Sequence, residues 1–150
     1  MKHYLLVPIL FLCVSILPAQ NLDLSEFEWK NRVLLTVSNS NSSSLASEQM
    51  TVFNSNAKGF KERKLILFEI QAERYRKITF NDTSSIKTDW RYSNKPYLKY
   101  KSKKANFKVL LIGLDGGIKN TKTNKIFTQA DLFTIIDGMP MRKRELRKKQ

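Results

Sequence analysis

Most of the side chains in this sequence that could do chemistry are cations, and they come in two runs. Tyr97-Leu98-Lys99-Tyr100-Lys101-Ser102-Lys103-Lys104 interleaves tyrosines with lysines. Cations beside π faces can hold anions or single strands, and the same pattern also suits a solvated helix face. Lys101, Lys103 and Lys104 are the candidate anion-binding residues here. Arg142-Lys143-Arg144-Glu145-Leu146-Arg147-Lys148-Lys149 has six cations in eight residues. Such a run can hold an anionic membrane surface at about 1 kcal/mol per basic residue, or it can be a frayed, solvated end. Its candidates are Arg142, Lys143, Arg144, Arg147, Lys148 and Lys149.

Two further stretches carry a chemical reading and a plain one. Ser38 to Ser44 runs Ser-Asn-Ser-Asn-Ser-Ser-Ser before an expected helix. Free N–H groups and the helix dipole converge at such a place, so Ser42, Ser43 and Ser44 could line an anion pocket. Residues of this kind also cap helices and form turns. Asp115-Gly116-Gly117 lacks the flanking pattern of a phosphate loop. It reads instead as a hairpin turn, because Asp-Gly supplies the positive φ that a tight turn requires.

The residues that are missing exclude more than those present suggest. Cys13 and His3 are the only cysteine and histidine, and both fall in an N-terminal segment with the layout of a secretory signal peptide. Lys2 gives a short positive start, Leu5 to Leu17 is an apolar run, and Pro18-Ala19-Gln20 is a small-residue exit. The apolar run is short for a membrane span. With residues 1–20 removed, about 130 residues remain, enough for one domain with its own core. That mature chain has no thiolate for thiol-disulfide or peroxide chemistry. It has no Cys or His for a zinc site and no His for a triad. The expectation is therefore no metal, no cofactor and no catalytic residue, and an enzyme is disfavoured.

The charge points outward. The chain has 27 basic and 13 acidic residues, a net +14, and loses only Lys2 with the leader. Such a surplus attracts anions. In a secreted or periplasmic setting the expected partners are anionic lipid, acidic glycan or acidic protein rather than nucleic acid. No membrane-spanning segment is expected after leader removal.

The elements that must position these residues follow from hydrophobic spacing. Leu24, Phe27 and Trp29 can fold over the core as an N-terminal arm, with Trp29 as a core anchor whose truncation would cost about 3 kcal/mol or more. Arg32 to Ser38 and Lys64 to Ile70 are apolar on both faces, the pattern of strands covered on both sides. Between them Ala46, Met50, Phe53, Ala57 and Phe60 form one helical stripe, capped by Ser43 or Ser44 and loosened at its end by Gly59. This is a βαβ unit. Gln71 to Asn106 has no clear period beyond a short helix starting at Asn94-Lys95-Pro96. Phe107 to Leu114 is a third strand, and Ile118 to Thr123 a lysine-bearing edge strand. Thr128-Gln129-Ala130-Asp131 is a capping box with Asp in the usual Glu position. It opens a last helix that Gly138 and Pro140 interrupt. The sum is an α/β fold with a mixed four-stranded sheet flanked by helices, over residues 21–145, followed by a basic tail at 146–150.

Three blocks carry a family resemblance. They are Trp29-Lys30-Asn31-Arg32-Val33-Leu34-Leu35, the run from Phe107 through Asp115-Gly116-Gly117 to Lys119, and Ile136-Asp137-Gly138-Met139-Pro140-Met141-Arg142-Lys143-Arg144-Glu145. Together they resemble a bacterial domain of unknown function that also occurs in animal sushi-repeat and coiled-coil-named matrix proteins. Trp29, Arg32, Asp115, Gly116, Gly117, Met139, Pro140 and Arg142 are the motif positions. The resemblance implies a thioredoxin-like fold related to peroxiredoxins. In such a fold the active site would fall at Ser38 to Ser44, where there is no cysteine. A cis-proline before the third strand has no counterpart, since Ala105-Asn106 stand there. The resulting expectation is a binding module for anionic partners. The alternatives are an oxidoreductase-like enzyme acting without its own thiol, and a structural accessory.

Overall fold

The computed structural model describes residues 21–39 and 44–148. Residues 1–20, Ser42, Ser43 and Lys149 lie outside that range. A short 3-10 turn, Ser25–Phe27, leads into β1 (Arg32–Ser38). Two helices follow, α1 (Ser44–Asn54) and α2 (Ala57–Glu62), and then β2 (Leu65–Ile70). The single helix expected across Ala46 to Phe60 is thus split. Asn56 breaks it by capping the second helix, its side chain accepting from the Gly59 N–H at 2.9 Å. Gly59 lies inside α2 rather than fraying an end, and a Cβ there would meet the Phe133 ring at 2.6 Å.

The segment with no readable period is ordered. It forms β3 (Arg74–Phe80), β4 (Ser85–Lys87), β5 (Arg91–Tyr92) and α3 (Lys95–Tyr100). The chain then completes β6 (Phe107–Ile112), β7 (Ile118–Thr123), α4 (Gln129–Gly138) and α5 (Pro140–Arg147).

The sheet has seven strands rather than four, in the order β4-β3-β2-β1-β6-β7, with β5 also pairing β3. The four strands expected from sequence are the contiguous run β2-β1-β6-β7. β1 and β2 are parallel, and the other pairs are antiparallel. The three extra strands extend the β2 edge. Between β6 and β7 the turn places Gly116 at φ +72, the conformation glycine accepts without strain. The capping box forms, with the Thr128 hydroxyl accepting from the Asp131 N–H and Asp131 accepting from the Thr128 N–H.

Both faces of the sheet are covered, which explains why β1 and β2 are buried along their whole length. One face carries Leu34, Leu65, Leu67, Val109 and Leu111 and packs Phe53, Phe60, Leu132 and Ile136 from α1, α2 and α4. The other carries Val33, Leu35, Val37, Ile66 and Phe68. It is covered by Leu22, Leu24 and Phe27 of the N-terminal arm and by Tyr97 and Tyr100 of α3. Trp29 does not join them. It is 64 % exposed at φ +64, because the turn that delivers the chain into β1 points its side chain outward. What the turn contributes to the fold is backbone: the Trp29 N–H donates to the Leu114 carbonyl at 2.6 Å.

Candidate functional site

Uncompensated positive charge is concentrated on the segment that extends the sheet. Residues 71–106 hold ten basic side chains against three acidic ones. Among the described residues only Arg76 of those ten forms an ion pair, with Glu69. Outside this segment and the C-terminal run the cations are more often matched, as in Lys61–Asp82, Lys119–Asp115 and Lys122–Asp131. The reason lies in the local architecture. β4 and β5 are two or three residues long and α3 has six residues, so few side chains here reach the core and most face water.

Pro96 at the first turn starts α3, and Tyr97 and Tyr100 dock it on the sheet. Lys108 donates to the Tyr100 carbonyl at 3.0 Å and fixes the helix end. Lys99 lies 5.1 Å from the Tyr100 ring centroid and Lys101 5.7 Å from that of Tyr97. The rings expected to stack on a ligand are therefore partly occupied by the protein's own lysines. Lys101, Lys103 and Lys104 are exposed. Under the N-terminal arm lies a cavity of about 300 Å³, which none of these three lysines lines. Its apolar floor is Phe27, Phe68 and Tyr75, and its rim mixes Lys77 and Arg91 with Asp23 and Glu26.

The second basic run is placed differently. Arg142 is only 4 % exposed. Its guanidinium donates to Asp137 at 3.2 Å, to the Glu62 carbonyl at 2.9 Å and to Glu145 at 3.3 Å. It fastens α5 to α2 and α4 and is not available to a partner, so that expectation is corrected. Lys143, Arg144, Arg147 and Lys148 are exposed. Glu145 also takes Arg32, which is fully buried at the start of β1. Arg32 donates as well to the Arg63 carbonyl at 2.9 Å. Arg63 lies 3.5 Å from the Phe133 ring centroid and pairs with Asp137.

Burial raises the Asp137 carboxyl, but hydrogen bonds from Arg63 and Arg142 outweigh it and hold the group below its ordinary value. Glu145 is likewise lowered, burial being outweighed by Arg32 and Arg142. The Arg32 guanidinium is lowered by burial, which Glu145 partly offsets.

The two basic runs are not joined. Asn39 and Asn106 bond at the carboxyl end of β1, whereas Glu145 meets Arg32 at its other end. Seven residues of strand separate them, about 20 Å.

Ser44 opens α1 and is exposed. Asp115 accepts from Lys119 at 2.6 Å and from the Gly117 N–H at 3.2 Å. These bonds, the Lys119 one foremost, lower its pKa and tie it into the turn. Among the described residues no group of three His, Cys, Asp or Glu side chains stands together to hold a metal. No helix among them is long and apolar enough to cross a membrane.

The family model described as a domain of unknown function, DUF4174, matches residues 23–145. The chain belongs to the DUF4174 family. No curated protein matches it. The three blocks that carried the resemblance meet in space in this DUF4174 domain. Trp29 bonds the strand end at Leu114, Gly116 lies against Glu28, and Arg32 pairs with Glu145. Of these contacts, the Arg32–Glu145 pair holds α5 to the sheet.

Two polar groups escaped sequence reading. Gln49 is fully buried and exchanges two hydrogen bonds with the Phe127 backbone, at 2.7 and 2.9 Å. Glu69, Gln71, Arg74, Arg76 and Trp90 form a cluster at the carboxyl end of β2. The signal for the second was the alternation Arg74-x-Arg76, which puts both guanidinium groups on one face of a strand.

Proposed function

We propose that this DUF4174 domain is a secreted or periplasmic binding module for anionic partners, and that residues 71–106 rather than the C-terminal run are its contact surface. One observation carries the reading: nine of the ten cations in that segment form no ion pair among the described residues. Long-range attraction to a polyanion needs this kind of excess, and it weakens with salt. Lys101, Lys103 and Lys104 project from the end of α3, with exposed Leu98 and Tyr92 nearby in the chain. Anionic lipid, an acidic glycan and an acidic protein all offer a matching surface.

Export is supported by Lys2 and the apolar run Leu5 to Leu17. A thioredoxin-like relation is supported by the strand order β2-β1-β6-β7 with its first pair parallel. The test is binding to heparin and to vesicles containing phosphatidylserine over a salt series. Lys101→Gln/Lys103→Gln/Lys104→Gln weakens binding and flattens its salt dependence, and Lys143→Gln/Arg144→Gln/Arg147→Gln binds nearly as the unsubstituted protein does. Binding that ignores salt would overturn the reading.

A further inference from the structure

Arg74 and Arg76 reach the same indole. Their guanidinium carbons lie 4.3 and 4.2 Å from the Trp90 ring centroid. They differ in what else they meet. Arg76 is satisfied side-on: its Nε and Nη2 reach one oxygen of Glu69 at 2.7 and 2.6 Å. Glu69 is 8 % exposed, so the charge of Arg76 is answered inside the protein. Arg74 has the same stack but a neutral partner, its Nε donating to the Gln71 Oε1 at 2.7 Å. Gln71 is 5 % exposed and is itself held by a 3.4 Å bond to Glu69. Among the described residues no acceptor meets either Nη of Arg74. Glu73 and Asp89, the acids nearest in sequence, are exposed and form no ion pair with it.

An arginine on a strand ordinarily keeps its side-chain freedom. Arg74 is held by an indole face and an anchored amide, which leaves the Nη end presented in a fixed plane. A guanidinium in that state matches the two oxygens of a carboxylate or phosphate. Its place in the fold agrees. Val37 pairs with Ile70, and the Gln71 N–H donates to the Arg74 carbonyl at 2.8 Å. The cluster thus stands at the carboxyl ends of the parallel strands β1 and β2, where open α/β sheets receive ligands.

We propose that Arg74, stacked on Trp90 and anchored by Gln71, is a binding site for a small oxyanion, a carboxylate or a phosphate. The site lies within the same basic segment but uses none of Lys101, Lys103 and Lys104. Trp90 reports on it directly. In a Trp29→Phe protein the remaining indole fluorescence is titrated with inorganic phosphate and, separately, with acetate, chloride holding the ionic strength constant. A saturable change is expected with one of them, which identifies the source chemistry. Arg74→Gln weakens it at least about tenfold, and Arg91→Gln, from the neighbouring strand, leaves it in place. A parallel reading on the unsubstituted protein is a melting temperature that rises with the same anion at fixed ionic strength. Fluorescence that changes without saturating, or equally in Arg74→Gln, overturns the site, as does a flat melting temperature. Heparin binding that persists in Arg74→Gln leaves the lysine surface standing, so the two claims fail separately.

Discussion

Glu145→Gln tests the C-terminal latch. The carboxylate lies 3.3 to 3.6 Å from Arg142, Arg32 and Lys64. Arg32 is fully buried, and among the described residues its one other acceptor is the Arg63 carbonyl. Neutralising Glu145 leaves that guanidinium in the interior without its ion-pair partner, with only the more distant Asp137 to oppose its charge. Removing one partner of a buried pair costs about 3–5 kcal/mol. Here the distances are long and the Glu145 side chain keeps 17 % exposure, so the cost falls at or just below the bottom of that range, about 2–3 kcal/mol. In a domain this size that lowers the melting temperature by roughly 10 °C. Urea unfolding followed by far-UV circular dichroism measures it. Lys64→Gln is the internal comparison: Lys64 is half in water, and its loss costs under about 0.5 kcal/mol. A Glu145→Gln loss as small as that of Lys64→Gln would refute the claim that α5 is clamped through a desolvated charge.

Three more outcomes follow from the same contacts. The folded-state pKa values of Asp137 and Glu145 are both depressed. Their stabilisation is therefore present in full above their unfolded values, about 3.9 and 4.3, and is lost as pH falls through the folded ones. Urea midpoints stay level from pH 7 to about pH 5 and drop below about pH 4, less steeply in Glu145→Gln. An equal drop in that variant would clear Glu145 of any part in it. Trp29→Ala changes stability by less than about 1 kcal/mol, since the side chain is mostly in water; a loss near 3 kcal/mol in chemical denaturation would restore it to the core. Gly116→Ala costs about 1–2 kcal/mol, because φ is +72 and the new Cβ would stand 2.6 Å from Glu28. An unchanged midpoint would show that the turn relaxes.

What the sequence made legible was what hydrophobic burial writes into it. Val33, Leu35 and Val37 alternate with Leu34 because helices pack on one face of β1 and the arm and α3 on the other. The Asp-Gly turn and the Thr128 capping box were readable because both are local chemistry. Strands β3 to β5 were not. β3 is half-buried, with charged residues on it, and β4 and β5 are too short to show a period. They exist because β2 offers an edge, which is tertiary information.

Trp29 misled because an aromatic beside an apolar run reads as core, while a positive φ decides its direction. Arg142 read as one of six tail cations. Only the fold brings Asp137, Glu62 and Glu145 around it. The Arg74 cluster joins β2, β3 and the residue before β5, a spacing that no motif encodes.

The most direct test of where this protein meets its partners compares two substituted proteins binding heparin and phosphatidylserine vesicles between low and physiological salt. One carries Lys101→Gln/Lys103→Gln/Lys104→Gln, and the other carries Lys143→Gln/Arg144→Gln/Arg147→Gln. Each removes three exposed cations, so net charge is matched. The first is expected to lose most of the salt-sensitive affinity and the second little. Equal losses would mean that only total charge matters, and a larger loss in the second would move the contact surface to α5.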